Sequence, residues 1–400
     1  MVVNRNHNSE ILPAQQDGHG ASGTIRHIYV HIPFCARICP YCAFYKELLD
    51  RSQTPRFCEA ILRELELHAR EQLASASSQT GAGDRPQPVT IYFGGGTPTA
   101  LTTAQLDYLL TGFRRALDLS QLDEWTMEAN PGSVSPKKAA LLHQLGITRI
   151  SLGVQSWDDD LLKLLGREHN AEQAKQSFEI FRRARFTNIN VDLMFGLPGQ
   201  SIDQWRETLK RTIALEPEHI STYCLTYEED TEFFLRHARG EFRQDSDSDA
   251  EFLDAAMSML EAASYEHYEI SNYARPGFRS AHNRAYWSGA DYLGIGPSAF
   301  STIGLVRRQN VSNFREYSDA VLSGKSATGS IEHLTAIMKR AEKIALGLRT
   351  DTGVPERMLD SFETETREFV RLGLLQKADD RFVLTRAGKS VADSVAADLI

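Results

Sequence analysis

Three cysteines in one short stretch are the residues of this sequence best suited to chemistry. Cys35, Cys39 and Cys42 follow the spacing C-x3-C-x2-C within the segment HIPFCARICPYCAFY, residues 31–45. At this spacing one loop can wrap three thiolates round a single cuboidal iron–sulfur cluster, which leaves the fourth iron without a protein ligand. An iron with an open position can bind a substrate or cosubstrate directly. A three-cysteine zinc site completed by His31 is the alternative that the spacing leaves open.

Other motifs place polar or flexible residues at the ends of predicted strands. The glycines of GGGTPT, residues 94–99, follow a strand directly and allow a ligand to approach the backbone. Glu128 in MEANP also ends a strand, where it is either a ligand-binding or a capping carboxylate. Gln155 and Arg167 lie in the next segment, GVQSWDDDLLKLLGREH at residues 153–169. An arginine can pair with a carboxylate. Asp192 lies inside an apolar strand, so either a polar ligand or a structural salt bridge must satisfy it.

Apolar, β-branched runs alternate with amphipathic stretches before and after these motifs. This alternation predicts parallel strands joined by helices, and six such units indicate an α/β fold. We expect a partial (β/α)6 barrel of the TIM type, with its chemistry at the carboxyl ends of the strands. The predicted strands are residues 25–32, 89–93, 125–129, 149–155, 190–195 and 219–225, and the predicted helices are residues 55–73, 103–117, 136–145, 171–185 and 202–215.

The sequence divides into segments of different character. The C-terminal part resembles a small helical, winged-helix-like domain with predicted helices at 336–348 and 355–372, followed by a short hairpin. Its acidic and basic residues are interspersed, which favours a packing or lid role over DNA binding. The predicted segments are a disordered leader at 1–24, a core barrel at 25–265, an extension that closes the barrel at 266–330, and the C-terminal domain at 331–400.

Composition limits the classes of partner and compartment. A chain of 400 residues with 42% hydrophobic content has enough material for one large core. The net charge of −9 does not indicate a basic surface that could bind a polyanion, so nucleic acid is not a predicted partner. No window approaches the roughly 18 apolar residues of a membrane span, and no signal peptide is recognisable. We therefore expect a cytoplasmic protein without an integral membrane segment, in which clustered thiols bind metal and the isolated Cys58 and Cys224 are buried apolar residues.

The cysteine motif and the motifs that follow it resemble the radical S-adenosylmethionine (SAM) superfamily, and their flanks resemble its oxygen-independent coproporphyrinogen oxidase-like family. The resemblance implies a [4Fe–4S] cluster on Cys35, Cys39 and Cys42, with SAM bound to the open iron through its amino and carboxylate groups. It also implies an electron donor for the cluster and reductive cleavage of SAM to a 5′-deoxyadenosyl radical. The residues that would contact SAM are Tyr29, Gly95, Gly96, Thr97, Glu128, Gln155, Arg167 and Asp192.

Members of this family have two different functions. One group comprises the oxidases, which decarboxylate the propionate side chains of a porphyrinogen during porphyrin biosynthesis. The other comprises heme chaperones, which bind heme and deliver it to acceptor proteins. The oxidases carry a further cysteine where this chain has Phe44, and they have a long structured arm where residues 1–24 are short and polar. Both departures favour the heme chaperones, with the oxidase as the alternative and a heme-degrading or heme-methylating relative as a third hypothesis.

The segment HNRAYWSGADYLGIGPSAFS, residues 282–301, resembles the HNxxYW and glycine-rich segment of the chaperone group. An imidazole is a common axial ligand of heme iron, and aromatic rings can stack on a porphyrin. His282 is therefore the candidate heme ligand, with Tyr286 and Trp287 beside it. In the alternative interpretation, His282 caps a loop and the two aromatic residues belong to the core.

Overall fold

The computed structural model describes residues 25–76, 85–242 and 246–400. The predicted leader at 1–24 lies outside the described residues. The strands, numbered in chain order, are β1 (His27–Ile32), β2 (Phe34–Cys35), β3 (Glu47–Leu48), β4 (Thr90–Gly95), β5 (Glu124–Ala129), β6 (Arg149–Gln155), β7 (Ile189–Phe195), β8 (His219–Cys224), β9 (Glu266–Glu269), β10 (Asn272–Ala274), β11 (Leu293–Ile295), β12 (Phe300–Ile303), β13 (Val306–Asn310), β14 (Thr328–His333), β15 (Val354–Pro355), β16 (Leu375–Ala378) and β17 (Arg381–Leu384).

Helices connect these strands, and most begin at a serine, threonine, aspartate or asparagine that caps their first turn. Short 3-10 helices lie at Pro98–Ala100, Glu356–Met358 and Asp360–Phe362. The α-helices are α1 (Thr54–Ala76), α2 (Thr103–Ala116), α3 (Pro136–Gln144), α4 (Asp159–Leu164), α5 (Ala171–Arg183), α6 (Ile202–Ala214), α7 (Glu232–Ala238), α8 (Ser246–Ala262), α9 (Ala281–Trp287), α10 (Phe314–Leu322), α11 (Ala336–Leu348), α12 (Glu363–Arg371), α13 (Arg386–Lys389) and α14 (Ala392–Ala397).

A nine-stranded sheet in the order β11-β1-β4-β5-β6-β7-β8-β10-β9 forms the centre of the fold. Strands β1, β4, β5, β6, β7 and β8 are the six predicted strands, and each pairs in parallel with the next. The α/β fold of partial barrel type is therefore confirmed. Residues 266–330 add β11 to one edge of the six strands, and β10 and β9 to the other edge.

The two faces of the sheet differ in chemistry. In β1, Ile28, Val30 and Ile32 belong to a buried apolar cluster that also contains residues of the surrounding helices. The alternate residues Tyr29 and His31 point to the opposite face, as strand geometry requires. That inner face is unusually polar and titratable, since it carries among others Thr90, Tyr92, Glu124, Glu128, Arg149, Asp192 and His219. Within the described residues, no helix is long and apolar enough to cross a membrane.

The C-terminal residues form a smaller unit with its own apolar cluster, which includes Leu348, Leu359 and Phe382. Its three strands pair in the order β15-β17-β16 and are flanked by α11, α12 and α14. The helix predicted at 355–372 was wrong over its first half, where the chain forms β15 and two 3-10 turns before α12 begins at Glu363. Pairing of β15 with β17 and burial of Leu359 override the helical pattern there.

Candidate functional site

The three clustered cysteines lie in the loop that follows the carboxyl end of β1. Cys35 ends the short strand β2, which pairs with β3, and Cys39 and Cys42 are joined by a backbone hydrogen bond of 3.3 Å from the Cys42 amide to the Cys39 carbonyl. All three thiols are free and partly buried. Burial raises the pKa of the Cys35 thiol to about 11 and also raises the pKa of Cys42. The thiols of Cys35 and Cys42 must therefore lose their protons to bind metal.

Two polar side chains contact these sulfurs from the neighbouring strand ends. The Thr97 hydroxyl lies 3.7 Å from the Cys35 sulfur, and Arg167 Nη1 lies 3.6 Å from the Cys39 sulfur. Asn130 connects the two, because its amide donates to Thr97 Oγ1 at 2.8 Å and its oxygen accepts from Arg167 Nη2 at 2.6 Å. Asn130 is part of the MEANP motif, but it could not be singled out from the sequence, since its contacts are with two residues distant in the chain.

His31 does not fit the zinc alternative. Its Nε2 lies 2.9 Å from the Tyr45 carbonyl oxygen and its Nδ1 lies 3.1 Å from the Tyr29 hydroxyl, so both ring nitrogens already have partners. Among the described residues, no three histidine, cysteine or acidic side chains converge closely enough to hold a single metal ion. The three thiols therefore do not form a ready-made site for a single ion.

The glycine run 94–96, at the end of β4, packs closely against the cysteine loop. A Cβ atom at Gly96 would lie 2.6 Å from the backbone of Pro33, and one at Gly95 would lie 2.5 Å from the His31 ring. Gly95 also has a φ of +106°, which side chains rarely adopt. These glycines are thus required by the protein's own packing, and they bring the backbone of β4 against the loop that carries the thiols.

Glu128 is the acidic residue nearest to this glycine run. It accepts hydrogen bonds from the Tyr92 hydroxyl at 2.8 Å and from the Gly95 amide at 3.1 Å. Burial raises the pKa of Glu128 to about 7, although the hydrogen bond from Tyr92 acts in the opposite direction. Tyr29 stacks on Tyr92 with 6.1 Å between ring centroids. Glu128 is therefore neither a helix cap nor a loop carboxylate, and it belongs to the inner face of the barrel beside Tyr29.

Asp192 lies deeper on the same inner face. It accepts from the Ser151 hydroxyl at 3.0 Å and from the Asn190 amide at 2.7 Å, and burial raises its pKa. Neutral side chains therefore satisfy part of the carboxylate, and among the described residues Asp192 forms no ion pair, so a structural salt bridge does not explain it. Gln155, at the end of β6, has a φ of +66°, and such strain in a non-glycine residue is typical of functional sites.

Arg167 connects this inner face to an open cavity. It is partly buried, donates to the Gly153 carbonyl at 2.8 Å and leaves its Nε without a partner among the described residues. The cavity has a volume of about 400 Å³ and is lined by Cys39, Thr97, Asn130 and Arg167 among others. Of the eight expected SAM contacts, only Thr97 and Arg167 line it. Tyr29, Glu128 and Asp192 lie instead on the inner face of the sheet.

His282 lies at the opposite end of the strands. The segment HNRAYW forms the helix α9, whose N-cap is Ser280. The carboxylate of Glu124, the first residue of β5, accepts from the Ser280 hydroxyl at 3.0 Å and from the amides of Ala281 and His282 at 2.8 and 3.3 Å. An acidic side chain at a helix N-terminus is stabilising. Glu124 therefore attaches α9 to the amino end of the sheet.

The His282 imidazole is held on two sides. Its ring stacks on Tyr92 with 5.1 Å between centroids, and its Nδ1 lies 2.8 Å from the Thr90 hydroxyl. Burial lowers the pKa of His282 to about 3, so the ring is neutral at physiological pH. The hydrogen bonds of His282 among the described residues involve its Nδ1 and its backbone amide, and none involves its Nε2. A neutral imidazole whose second ring nitrogen is free is the form that binds iron.

The aromatic neighbours of His282 are not core residues. Tyr286 is 47% exposed, and Trp287 is partly buried with its ring against Tyr286 at 5.4 Å and beneath the Arg349 guanidinium at 5.3 Å. The alternative in which both aromatic side chains fill the core is therefore wrong for Tyr286. Their exposure leaves an aromatic surface on the outer part of α9.

Comparison with known proteins agrees with this geometry. Residues 29–212 match the model of the radical SAM superfamily. The heme chaperone HemW of Bacillus subtilis is 34% identical over 378 residues, which cover 92% of this chain and 97% of that protein. HemW of Escherichia coli is 36% identical over 278 residues, which cover 69% and 70% of the two chains. The solved structure of coproporphyrinogen III oxidase (HemN) from Escherichia coli, a radical SAM enzyme, covers 95% of this chain and 91% of that chain with a TM-score of 0.78 and 22% identity, which shows a shared fold.

Proposed function

Because the chain belongs to the radical SAM superfamily and, within it, to the family of the heme chaperone HemW, we propose that it binds heme and delivers it to acceptor proteins. In this proposal Cys35, Cys39 and Cys42 hold a [4Fe–4S] cluster whose open iron takes SAM, and His282 is the heme ligand. The proposal rests on the position of His282, at the end of the strands opposite to the thiols.

The cysteine loop fits a [4Fe–4S] cluster on three grounds. Its thiols are free, they do not form a ready-made site for a single ion, and Thr97 and Arg167 donate towards two of the sulfurs. Donors that point at the sulfurs stabilise the negative charge of a thiolate-bound cluster. When bound, the cluster would supply the electron for reductive cleavage of SAM, and an external donor would reduce it. Arg167 would pair with the methionyl carboxylate, and Glu128 and Asp192 would accept hydrogen bonds from the amino and ribose groups.

The separation of the two ends favours a chaperone over an enzyme that acts on the porphyrin. His27, Thr90 and Glu124 are paired neighbours at the amino ends of β1, β4 and β5. Strand β1 has six residues, and at about 3.3 Å per residue its two ends are roughly 16 Å apart. A radical must lie about 3 to 3.5 Å from the atom that it attacks. The iron of a heme held by His282 would therefore lie farther from the cluster than such a reaction needs.

The alternative function is that of coproporphyrinogen III oxidase. The likeness to HemN supports it only at the level of the fold, because 22% identity leaves the chemistry open. An oxidase must bring its substrate to the carboxyl ends of the strands, and the cavity of about 400 Å³ beside Cys39 is the space at that end. This cavity keeps the oxidase as the second candidate.

One experiment separates the two functions. Protein reconstituted anaerobically with iron and sulfide is incubated with a reductant, SAM and either coproporphyrinogen III or heme. The tetrapyrroles are then recovered, and their molecular masses are measured by mass spectrometry. The chaperone proposal expects one heme retained per chain with unchanged mass, and no decarboxylated product. Formation of a decarboxylated porphyrinogen would overturn it in favour of the oxidase, and a changed heme mass would indicate a heme-modifying enzyme.

The remaining expectations follow from this proposal. The partners are heme, heme-accepting proteins and a one-electron donor for the cluster. We propose a cytoplasmic location because a cluster held by thiolates requires a reducing compartment. For the C-terminal unit at 331–400, with its winged-helix-like arrangement, we propose a packing or lid role.

A further inference from the structure

The hydroxyl of Thr90 lies between two histidines at the amino end of the sheet. Thr90 is the first residue of β4 and pairs across the sheet with His27 of β1. Its Oγ1 lies 2.9 Å from His27 Nδ1 and 2.8 Å from His282 Nδ1. Thr90 itself is completely buried, so its hydroxyl has no contact with bulk water. Both imidazoles therefore share this one hydroxyl as the partner of their Nδ1 atoms.

A count of protons shows what these contacts require. A hydroxyl donates one hydrogen bond and can accept two, and a neutral imidazole carries one proton, on either Nδ1 or Nε2. If both histidines carry it on Nε2, the single hydroxyl proton serves only one of the two Nδ1 atoms. If both carry it on Nδ1, the buried hydroxyl proton has no acceptor, which costs about 1 to 3 kcal/mol. Both contacts are satisfied only when one ring donates to Oγ1 and the other accepts from it.

We propose that Thr90 and His27 are positioning residues for His282, because the shared hydroxyl holds the two histidines in opposite tautomers. The inference rests on the proposed function in one respect, namely that His282 binds heme iron. With iron on Nε2, His282 carries its proton on Nδ1 and donates to Thr90. Thr90 then donates to His27 Nδ1, and His27 carries its own proton on Nε2.

This arrangement orients the ligand before iron binds. Metal-binding histidines nearly always donate their second ring nitrogen to a fixed acceptor, and loss of that acceptor lowers metal affinity by about 10- to 100-fold. Here the acceptor is a neutral hydroxyl that is itself oriented by a second imidazole. Stacking on Tyr92 fixes the plane of the His282 ring, and Thr90 fixes its rotation and its tautomer.

The first test measures heme affinity. Thr90→Val keeps the shape of the side chain and removes the hydroxyl, and we expect a loss of about 10- to 100-fold. Thr90→Ser restores the hydroxyl and should recover affinity to within about twofold of the unaltered protein. His27→Ala should cause a smaller loss, because Thr90 can still accept from His282. Thr222→Val, the same replacement at a buried threonine of β8, is the matched control and should have no effect. Equal heme affinity in Thr90→Val and the unaltered protein would overturn the proposal.

The second test needs no heme and reports the tautomers directly. In protein labelled with nitrogen-15 at histidine, the chemical shifts of the ring nitrogens of His27 and His282 are assigned by comparison with the variants His27→Ala and His282→Ala. We expect one ring protonated at Nδ1 and the other at Nε2, with the pairing lost in Thr90→Val and kept in Thr90→Ser. Two rings with the same tautomer would contradict the proposal. A merely structural role of Thr90 would not produce this pattern.

The two tests separate this inference from the proposed function. If His282→Ala retains heme while the nitrogen shifts show opposite tautomers, the heme ligand is wrong and the hydroxyl bridge stands. If His282→Ala loses heme while Thr90→Val binds it normally, heme binding by His282 stands and the positioning role is overturned.

Discussion

The two ends of the central sheet are built differently. At the carboxyl end, three thiols, a glycine run and the side chains of Asn130 and Arg167 come from loops that are distant in the chain. At the amino end, α9 is fixed by Glu124, and His282 is held by Thr90 and Tyr92, which are residues of the strands themselves. The carboxyl end therefore assembles thiols from a loop, whereas the amino end holds one imidazole between side chains of regular strands.

Under the proposed function, cluster and heme would occupy separate sites at these two ends. Tyr92 lies between them, since its hydroxyl donates to Glu128 while its ring stacks on His282. A change of a ligand at one end should nevertheless leave the ligands at the other end in place.

Replacement of any one of Cys35, Cys39 and Cys42 by alanine should abolish the cluster. The loop provides three thiolates for a cubane cluster, and two are not enough to hold it. Iron and acid-labile sulfide, measured after anaerobic reconstitution, should fall to background. Cys58→Ala is the matched control, because Cys58 is buried in α1 away from the loop. This variant should bind as much iron and sulfide as the unaltered protein. Unchanged iron and sulfide in any of the three variants Cys35→Ala, Cys39→Ala and Cys42→Ala would contradict a cluster held by these cysteines.

His282→Ala should lower heme affinity by more than about 100-fold, because an axial ligand of the iron is removed outright. Visible absorption titrations with heme measure this loss, and the cluster content of the same samples should remain unchanged. His333→Ala, at an exposed histidine of β14, is the control and should bind heme normally. Loss of both heme and cluster in His282→Ala would mean that the two ends are not independent.

Glu128→Gln should weaken SAM binding by about tenfold, which corresponds to about 1.4 kcal/mol for a charge-assisted hydrogen bond. Because the pKa of Glu128 is raised to about 7, its carboxylate forms as the pH rises through neutrality. SAM affinity in the unaltered protein should therefore increase from pH 6 to pH 8, and this dependence should disappear in Glu128→Gln. Calorimetric titration of the reconstituted protein measures both effects.

Glu365→Gln, an exposed glutamate of α12, provides the control for the charge change and should leave SAM binding unaltered. If Glu128→Gln binds SAM with the same affinity and pH dependence as the unaltered protein, Glu128 has no part in the cofactor site.

Ser280→Ala should have the smallest effect. Loss of the N-cap of α9 costs about 1 kcal/mol and removes one donor to Glu124. Heme affinity should fall about two- to fivefold, with no change in SAM affinity or cluster content. An unchanged heme affinity would indicate that α9 does not orient His282.

Much of the fold could be predicted because the β/α pattern is local and regular. The six central strands and five connecting helices lie within a few residues of their predicted bounds, and each helix ends where its apolar periodicity ends. The prediction failed at 355–372, where pairing with a strand some 25 residues later decides the structure. The strands that the extension adds to both edges of the sheet were not predicted, because short segments such as β10 and β11 carry no periodicity of their own.

The sequence was less informative about the sites. Spacing alone identified the thiols, since three ligands in one loop are close in space as well as in sequence. It could not identify Asn130 or Thr90, whose roles arise from partners more than thirty residues away. Nor could it reveal that His282 and the cysteines lie at opposite ends of the sheet, because that depends on the direction of the strands and on the point where α9 docks.

Heme binding by a variant that lacks the cluster tests the central claim most directly. Cys35, Cys39 and Cys42 are all replaced by alanine, the purified protein is titrated with heme, and the absorption spectrum and stoichiometry are compared with those of the reconstituted protein. The account predicts one heme per chain with the same absorption maxima and affinity, although no iron–sulfur centre is present. Failure of this variant to bind heme, while circular dichroism shows it to be folded, would contradict the account.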